Sequence, residues 1–200
     1  MFKSLLKNNM GIVLSIAACV LIGICTGAFA INNLSSVQTE DLTNYMGGFS
    51  EIYSNQSVST GSLFVLSIGQ NIKYFLILLV SGMTIIGLPA IYFMCWARSF
   101  ITGFSIGVII GAFGSKGILI AFLTIVPTDF FKLSAFMYLG INAVIFSVRI
   151  FKLLARKGFD ISFKNSFVNF MKSALFSLFF LFAGILYETL LTPVLFRLLV

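Results

Sequence analysis

Histidine is absent from this chain, acidic residues number six, and charged residues of either sign make up only 10% of it. Without histidine, an intramembrane serine protease of the Ser/His type has no base, and a zinc protease lacks its usual ligands. The three cysteines, Cys19, Cys25 and Cys95, fall inside apolar runs with no CxxC or Cys/His spacing. They are expected as small apolar residues, not as disulfide or metal partners, and no cofactor is implied. Alternating strands of about ten residues, the mark of a membrane β-barrel, are also missing. The few acids that lie between positions 32 and 73, Glu40, Asp41 and Glu51, sit in a segment too short to fold the two-walled cleft of a glycosidase. Catalysis by this chain alone is therefore not expected.

What is present is apolar. Hydrophobic residues reach 59%, and phenylalanine alone contributes 24 of the 200 residues. Such a composition departs from that of a soluble domain and predicts an all-α, polytopic membrane protein. The net charge of +7 is read first as a topology signal and not as a nucleic-acid footprint.

Five spans are expected, at about residues 10–31, 74–96, 100–127, 133–151 and 174–196. The first follows Lys3 and Lys7 and ends in Ala28-Phe29-Ala30, which imitates a signal-peptide cleavage site. Its length exceeds a typical signal core, so a retained anchor is expected. The second carries Gly82, Gly87 and Pro89, a pattern read as a kink. The third is the problem. A helix over residues 100–127 would run roughly 42 Å against a hydrocarbon core of about 30 Å, and Gly114-Ser115-Lys116-Gly117 interrupts it.

That interruption either breaks a single crossing or turns the chain back. A single crossing gathers Lys3, Lys7, Arg98 and the run Arg149, Lys152, Arg156, Lys157, Lys164 and Lys172 on one side. Only Lys73, Lys132 and Arg197 then lie opposite. The positive-inside rule favours this arrangement, with the N-terminus cytoplasmic, residues 32–73 outside, and Asp129 and Lys132 at the outer surface. Residues 152–172 read as a basic amphipathic segment on an anionic membrane surface, with Phe163, Phe167, Phe170 and Met171 on one face.

Between residues 32 and 73, Ser35 and Gln38 have the spacing of a capping box. Beyond it Leu42, Tyr45, Met46, Phe49, Ile52 and Tyr53 form one apolar stripe at helical spacing. The stripe either lies on its own membrane or bundle, or docks a partner. At membrane depth the candidates for a functional role are Lys116, Asn142 and Glu188, since polar groups there are costly. Each has a plainer reading: Glu188 solvated near the outer surface, Asn142 bonded to a neighbouring helix, Lys116 snorkelling and not lining a cavity.

The run GAFAINNLSSVQTEDLTNYMGGF, residues 27–49, resembles the segment leaving the first span in the stage II sporulation protein M family. The run SFITGFSIGVIIGAFGSKGILIAFLTIVPTDFFKLSAFMYLG, residues 99–140, resembles that family's glycine-rich centre, where a Lys-Gly after the break precedes a Pro-x-x-Phe-type motif. The chain departs from the pattern at Pro127-Thr128-Asp129, where the family has Pro-Gln-Asn. The resemblance implies a non-enzymatic scaffold in the septal or engulfing mother-cell membrane of an endospore-forming bacterium. Such a scaffold recruits two cell-wall hydrolases for peptidoglycan remodelling during engulfment: an amidase/endopeptidase and a lytic transglycosylase, sporulation proteins P and D. Membrane lipid is the other implied contact, nucleic acid is not, and self-association into a homo-oligomer stays open. Rival readings are a permease-like transporter subunit with a polar site at depth, and an intramembrane enzyme using Glu188 or Asp129 across a shared water-filled pocket.

Overall fold

The computed structural model describes residues 9–35, 37–38, 40–42, 44, 60–84, 87–155 and 162–199, and among these there is no strand. Four long helices carry the fold: α1 (Met10–Ala30, extended by a 3-10 turn Ile31–Asn33), α2 (Thr60–Gly82), α3 (Gly87–Ala155) and α4 (Ser162–Leu199). Each is long and apolar enough to cross a membrane. Leucines and phenylalanines such as Leu14, Phe122, Phe130 and Phe179 stand exposed around the bundle, as a lipid-facing surface requires.

The helix α3 is one helix only by continuity. At Gly114 the backbone takes φ 56° and ψ −132°, which an L side chain resists, and the chain reverses there. Pairings across the bend establish the reversal: Gly117 lies against the Ile109 carbonyl, Asp129 against Arg98, and Gly140 against Cys95. Residues 87–113 and 115–155 are thus antiparallel arms of a hairpin. This corrects the expected single crossing of residues 100–127. Gly114→Val should lower stability by about 1–3 kcal/mol, because a β-branched residue is forced into a glycine conformation; thermal unfolding of the detergent-solubilised protein reads it.

The second expected span is also corrected. Residues 74–96 do not form one kinked helix: α2 ends at Gly82, α3 begins at Gly87, and Pro89 occupies the first turn of α3, where its missing N–H costs nothing. Residues 60–73, expected within the outer segment, belong to α2, where the polar residues Ser67 and Asn71 are buried. Residues 162–172 are likewise the first turns of α4. Phe170 is buried and stacks on Phe146 at 4.9 Å, and the rings of half-buried Phe163 and exposed Phe167 lie 6.0 and 6.1 Å from that of Phe146.

Small residues set the remaining packing. Helix α1 runs parallel to the first arm of α3, with Ser15 bonded to Tyr92 at 2.8 Å near the start and Gly107 over Ala28 and Ile31 near the end. Between them Gly23 and Gly27 of α1 meet Ser99, Phe100 and Phe104, while Gly103 sits on the Ile24 carbonyl. Spacings of four on both helices let the two backbones touch. Helix α2 lies parallel to the second arm, through Gly82 on Ala143 and Ser147 Oγ donating to the Thr84 carbonyl at 2.8 Å.

Helix α4 runs antiparallel to that arm. Ser177 donates to the Ala135 carbonyl at 2.5 Å, and Gly184 admits the Lys132 stem. Tyr187 donates to the Leu123 carbonyl at 3.2 Å. That carbonyl is the one Pro127, lacking an N–H, cannot serve, so Tyr187 replaces a helix bond lost at membrane depth. Of the cysteines, Cys95 is buried as expected, whereas Cys25 is exposed.

Candidate functional site

Every helix of the α2–α4 core presents a polar pair at helical spacing on its inward face. On α2 these are Ser67 and Asn71, on the second arm of α3 Asp129 and Lys132, and on α4 Glu188 and Thr192. Arg98 joins them from the first arm. Spacings of three and four place each pair on one side of its helix, and the helix packing, α2 parallel and α4 antiparallel to the second arm, brings the pairs to one level. That level is deep: Asp129 lies about 22 Å along its helix from the Gly114 bend and Arg98 about 16 Å from the start of α3.

The four ionisable groups are matched in sign. Lys132 Nζ is 2.6 Å from Glu188 Oε2, and Arg98 Nη2 is 3.5 Å from Asp129 Oδ1. Lys132 is only 2% exposed, so its charge is tolerable only beside a carboxylate. Ser67 Oγ donates to Glu188, the Asn71 amide donates to the Ser67 carbonyl at 2.8 Å, and Asn71 Oδ1 accepts from Arg98 Nη2 at 3.4 Å. The Arg98 guanidinium also lies over the Phe136 ring, 5.8 Å from its centroid. Thr124 and Thr128 return their hydroxyls to carbonyls one turn back on their own helix, so they are spent locally.

Beside these pairs lies a cavity of about 280 Å³, walled by α2, both arms of α3, and α4. Among the described residues, two buried polar atoms have no partner, Arg98 Nε and Thr192 Oγ1, and both residues line this cavity. Asp129 and Glu188 share its wall. Among the described residues, no group of three or more His, Cys, Asp or Glu side chains is placed to hold a metal.

Of the three groups singled out at membrane depth, only Glu188 belongs to this site. Lys116 is exposed at the hairpin tip, and Asn142 donates to the Tyr138 carbonyl of its own helix at 2.8 Å, away from the cavity. Arg98, expected in a cytoplasmic connection, and Asp129 and Lys132, expected at the outer surface, are instead buried together. A single charge beside an apolar run has the look of a loop marker; the signal that distinguishes these is the spacing of three between Asp129 and Lys132, which puts both on one helix face. The Ser35/Gln38 capping box is present in both halves: Ser35 N donates to Gln38 Oε1 at 3.0 Å, and Gln38 N to Ser35 Oγ at 3.4 Å. Leu42 of the apolar stripe is helical and half-buried, while Tyr45, Met46, Phe49, Ile52 and Tyr53 lie outside the described residues.

Comparison with curated proteins and with solved structures returns no match to this chain. Comparison with protein families returns Stage II sporulation protein M, matched over residues 16–193, a range that takes in the glycine seam of α1, the Gly114 hairpin and the whole charge cluster. With nearly its full length covered, the chain belongs to the stage II sporulation protein M family and is a sporulation-related membrane protein.

Proposed function

We propose that the protein is a non-enzymatic scaffold that holds two cell-wall hydrolases, an amidase/endopeptidase and a lytic transglycosylase, at the septal membrane during engulfment. The observation that carries this reading is the Ser35–Gln38 capping box, which starts a helix just beyond α1 that includes Leu42, the first residue of the stripe read from the sequence. Tyrosine and phenylalanine are the residue types that dominate such contacts, and Tyr45, Phe49 and Tyr53 supply them. The double variant Tyr45→Glu/Phe49→Glu is expected to reach the membrane in normal amount but to lose co-purification of both hydrolases. Retained co-purification would move the docking face elsewhere.

In the same reading each arm of α3 crosses the bilayer, making five crossings with a cytoplasmic N-terminus. By the helix pairings Met10, Gly82, Gly87, Ala155 and Ser162 lie at one end of the bundle, and Thr60, Gly114 and Leu199 at the other. Arg149, Lys152, Lys164 and Lys172 fall at the first end, and Lys3 and Lys7 precede Met10 in the sequence, with Lys116 and Arg197 at the second end, a distribution the positive-inside rule favours for a cytoplasmic first end. A reporter active only outside the cell should therefore work when fused after Lys116 and fail when fused after Lys152. The reverse result would invert the protein.

A permease-like subunit is the second reading, and the mid-depth cavity is what favours it. Against it, the charges on the cavity wall are paired with one another, and neither Lys116 nor Asn142 extends the polar surface toward either end.

A further inference from the structure

The geometry points to the cavity between α2, α3 and α4 as a binding site for a small zwitterion, an acidic phosphate or carboxylate group joined to a primary ammonium. The inference stands on the cavity alone and holds whether the bundle is a scaffold or a permease.

Charge comes first. Arg98, Lys132, Asp129 and Glu188 sum to zero, so a ligand of net charge would leave an unbalanced charge at membrane depth, whereas a zwitterion would not. Hydrogen-bonding capacity comes second. Arg98 spends Nη2 on Asp129 and Asn71 while its Nε–H is left over, and the Thr192 hydroxyl is left over with it. A buried donor without a partner is costly, and an acidic oxygen is the acceptor that each of these groups lacks. The carboxylates keep spare lone pairs: among the described residues Asp129 is held only by a long 3.5 Å contact to Arg98, and Glu188, which receives Lys132 and Ser67, remains 38% exposed. An ammonium with N–H donors fits there.

Size and access agree. About 280 Å³ lies at the small end of ligand pockets, roughly 300–1,000 Å³, and suits a head group and not a whole lipid. The rim includes Gln70 and Ile101, both exposed, and Ile101, Ser105 and Thr192 lie on the hairpin-tip side of the charges. One chemistry covers two sources, the head group of an ethanolamine phospholipid and a free amino acid.

Thermal unfolding of the full chain in an uncharged detergent tests this with four probes: alanine, glycerophosphoethanolamine, phosphatidylethanolamine and phosphatidylcholine. A saturable rise in Tm of roughly 5 °C is expected from at least one probe with a primary ammonium. None is expected from phosphatidylcholine, whose quaternary ammonium has no N–H for the carboxylates. A rise confined to phosphatidylethanolamine identifies lipid as the source, and a rise with alanine or glycerophosphoethanolamine identifies a soluble one. Arg98→Lys keeps the charge but removes Nε, and Thr192→Val removes the idle hydroxyl; each should raise the half-saturating concentration at least about tenfold. If Arg98→Lys fails to fold, Thr192→Val carries the comparison. No rise with any probe, an equal rise with phosphatidylcholine, or undiminished binding in the variants overturns the proposal.

Discussion

Lys132→Met is expected to destabilise the bundle by about 3 kcal/mol, near the low end of what breaking a buried ion pair costs. Methionine refills the channel that Gly184 leaves for the Lys132 stem, so volume is largely kept and the loss reports the charge. What remains is a Glu188 carboxylate whose one neutral donor among the described residues is Ser67. The value stays low because Glu188 is 38% exposed and part of its charge can be solvated. The double variant Lys132→Met/Glu188→Gln should recover most of the loss, since glutamine accepts from Ser67 without needing a cation. Thermal unfolding of the three variants in one detergent gives the coupling directly. A double variant as weak as Lys132→Met would mean that the methionine packs badly and that the ion pair contributes little.

Gly103→Leu is expected to be as damaging, for a steric reason. A Cβ at Gly103 would overlap the Ile24 carbonyl of α1, and the same holds for Gly27 against the Phe100 carbonyl. Neither neighbour is a flexible side-chain end, so the two helices would have to separate. In a bilayer helix association rests on close packing, because lipid tails solvate leucine as well as another helix does. The loss should reach about 3 kcal/mol, with α1 the first element to become protease-sensitive. Gly69→Ala supplies the control. Nothing lies within 4 Å of a Cβ there, and alanine in a helix interior should raise stability by roughly 0.5–1 kcal/mol. If Gly103→Leu and Gly69→Ala behaved alike, the glycine seam would not hold α1 in place.

Much of this architecture was legible in the chain because it is local. The Ser35/Gln38 cap needs only a spacing of three, and both of its bonds are present. The interruption at residues 114–117 is visible as two glycines around Ser115 and Lys116. Whether it passes on or turns back is not local, since that depends on Gly117 finding space against Ile109 across the bend. The span boundaries failed for a related reason. Arg98 in an apolar run looks like the edge of a helix unless Asp129 and Asn71 are known to be waiting for it.

The sequence by itself determined the class of the protein, its family, its helical spans in outline and the absence of histidine chemistry, because composition and short-range spacing act within single helices. Only the tertiary structure decided that Arg98, Asp129, Lys132 and Glu188 share one site. A charge at membrane depth is tolerated or not according to the partner a distant helix delivers within a few ångströms, and that distance depends on how the helices pack.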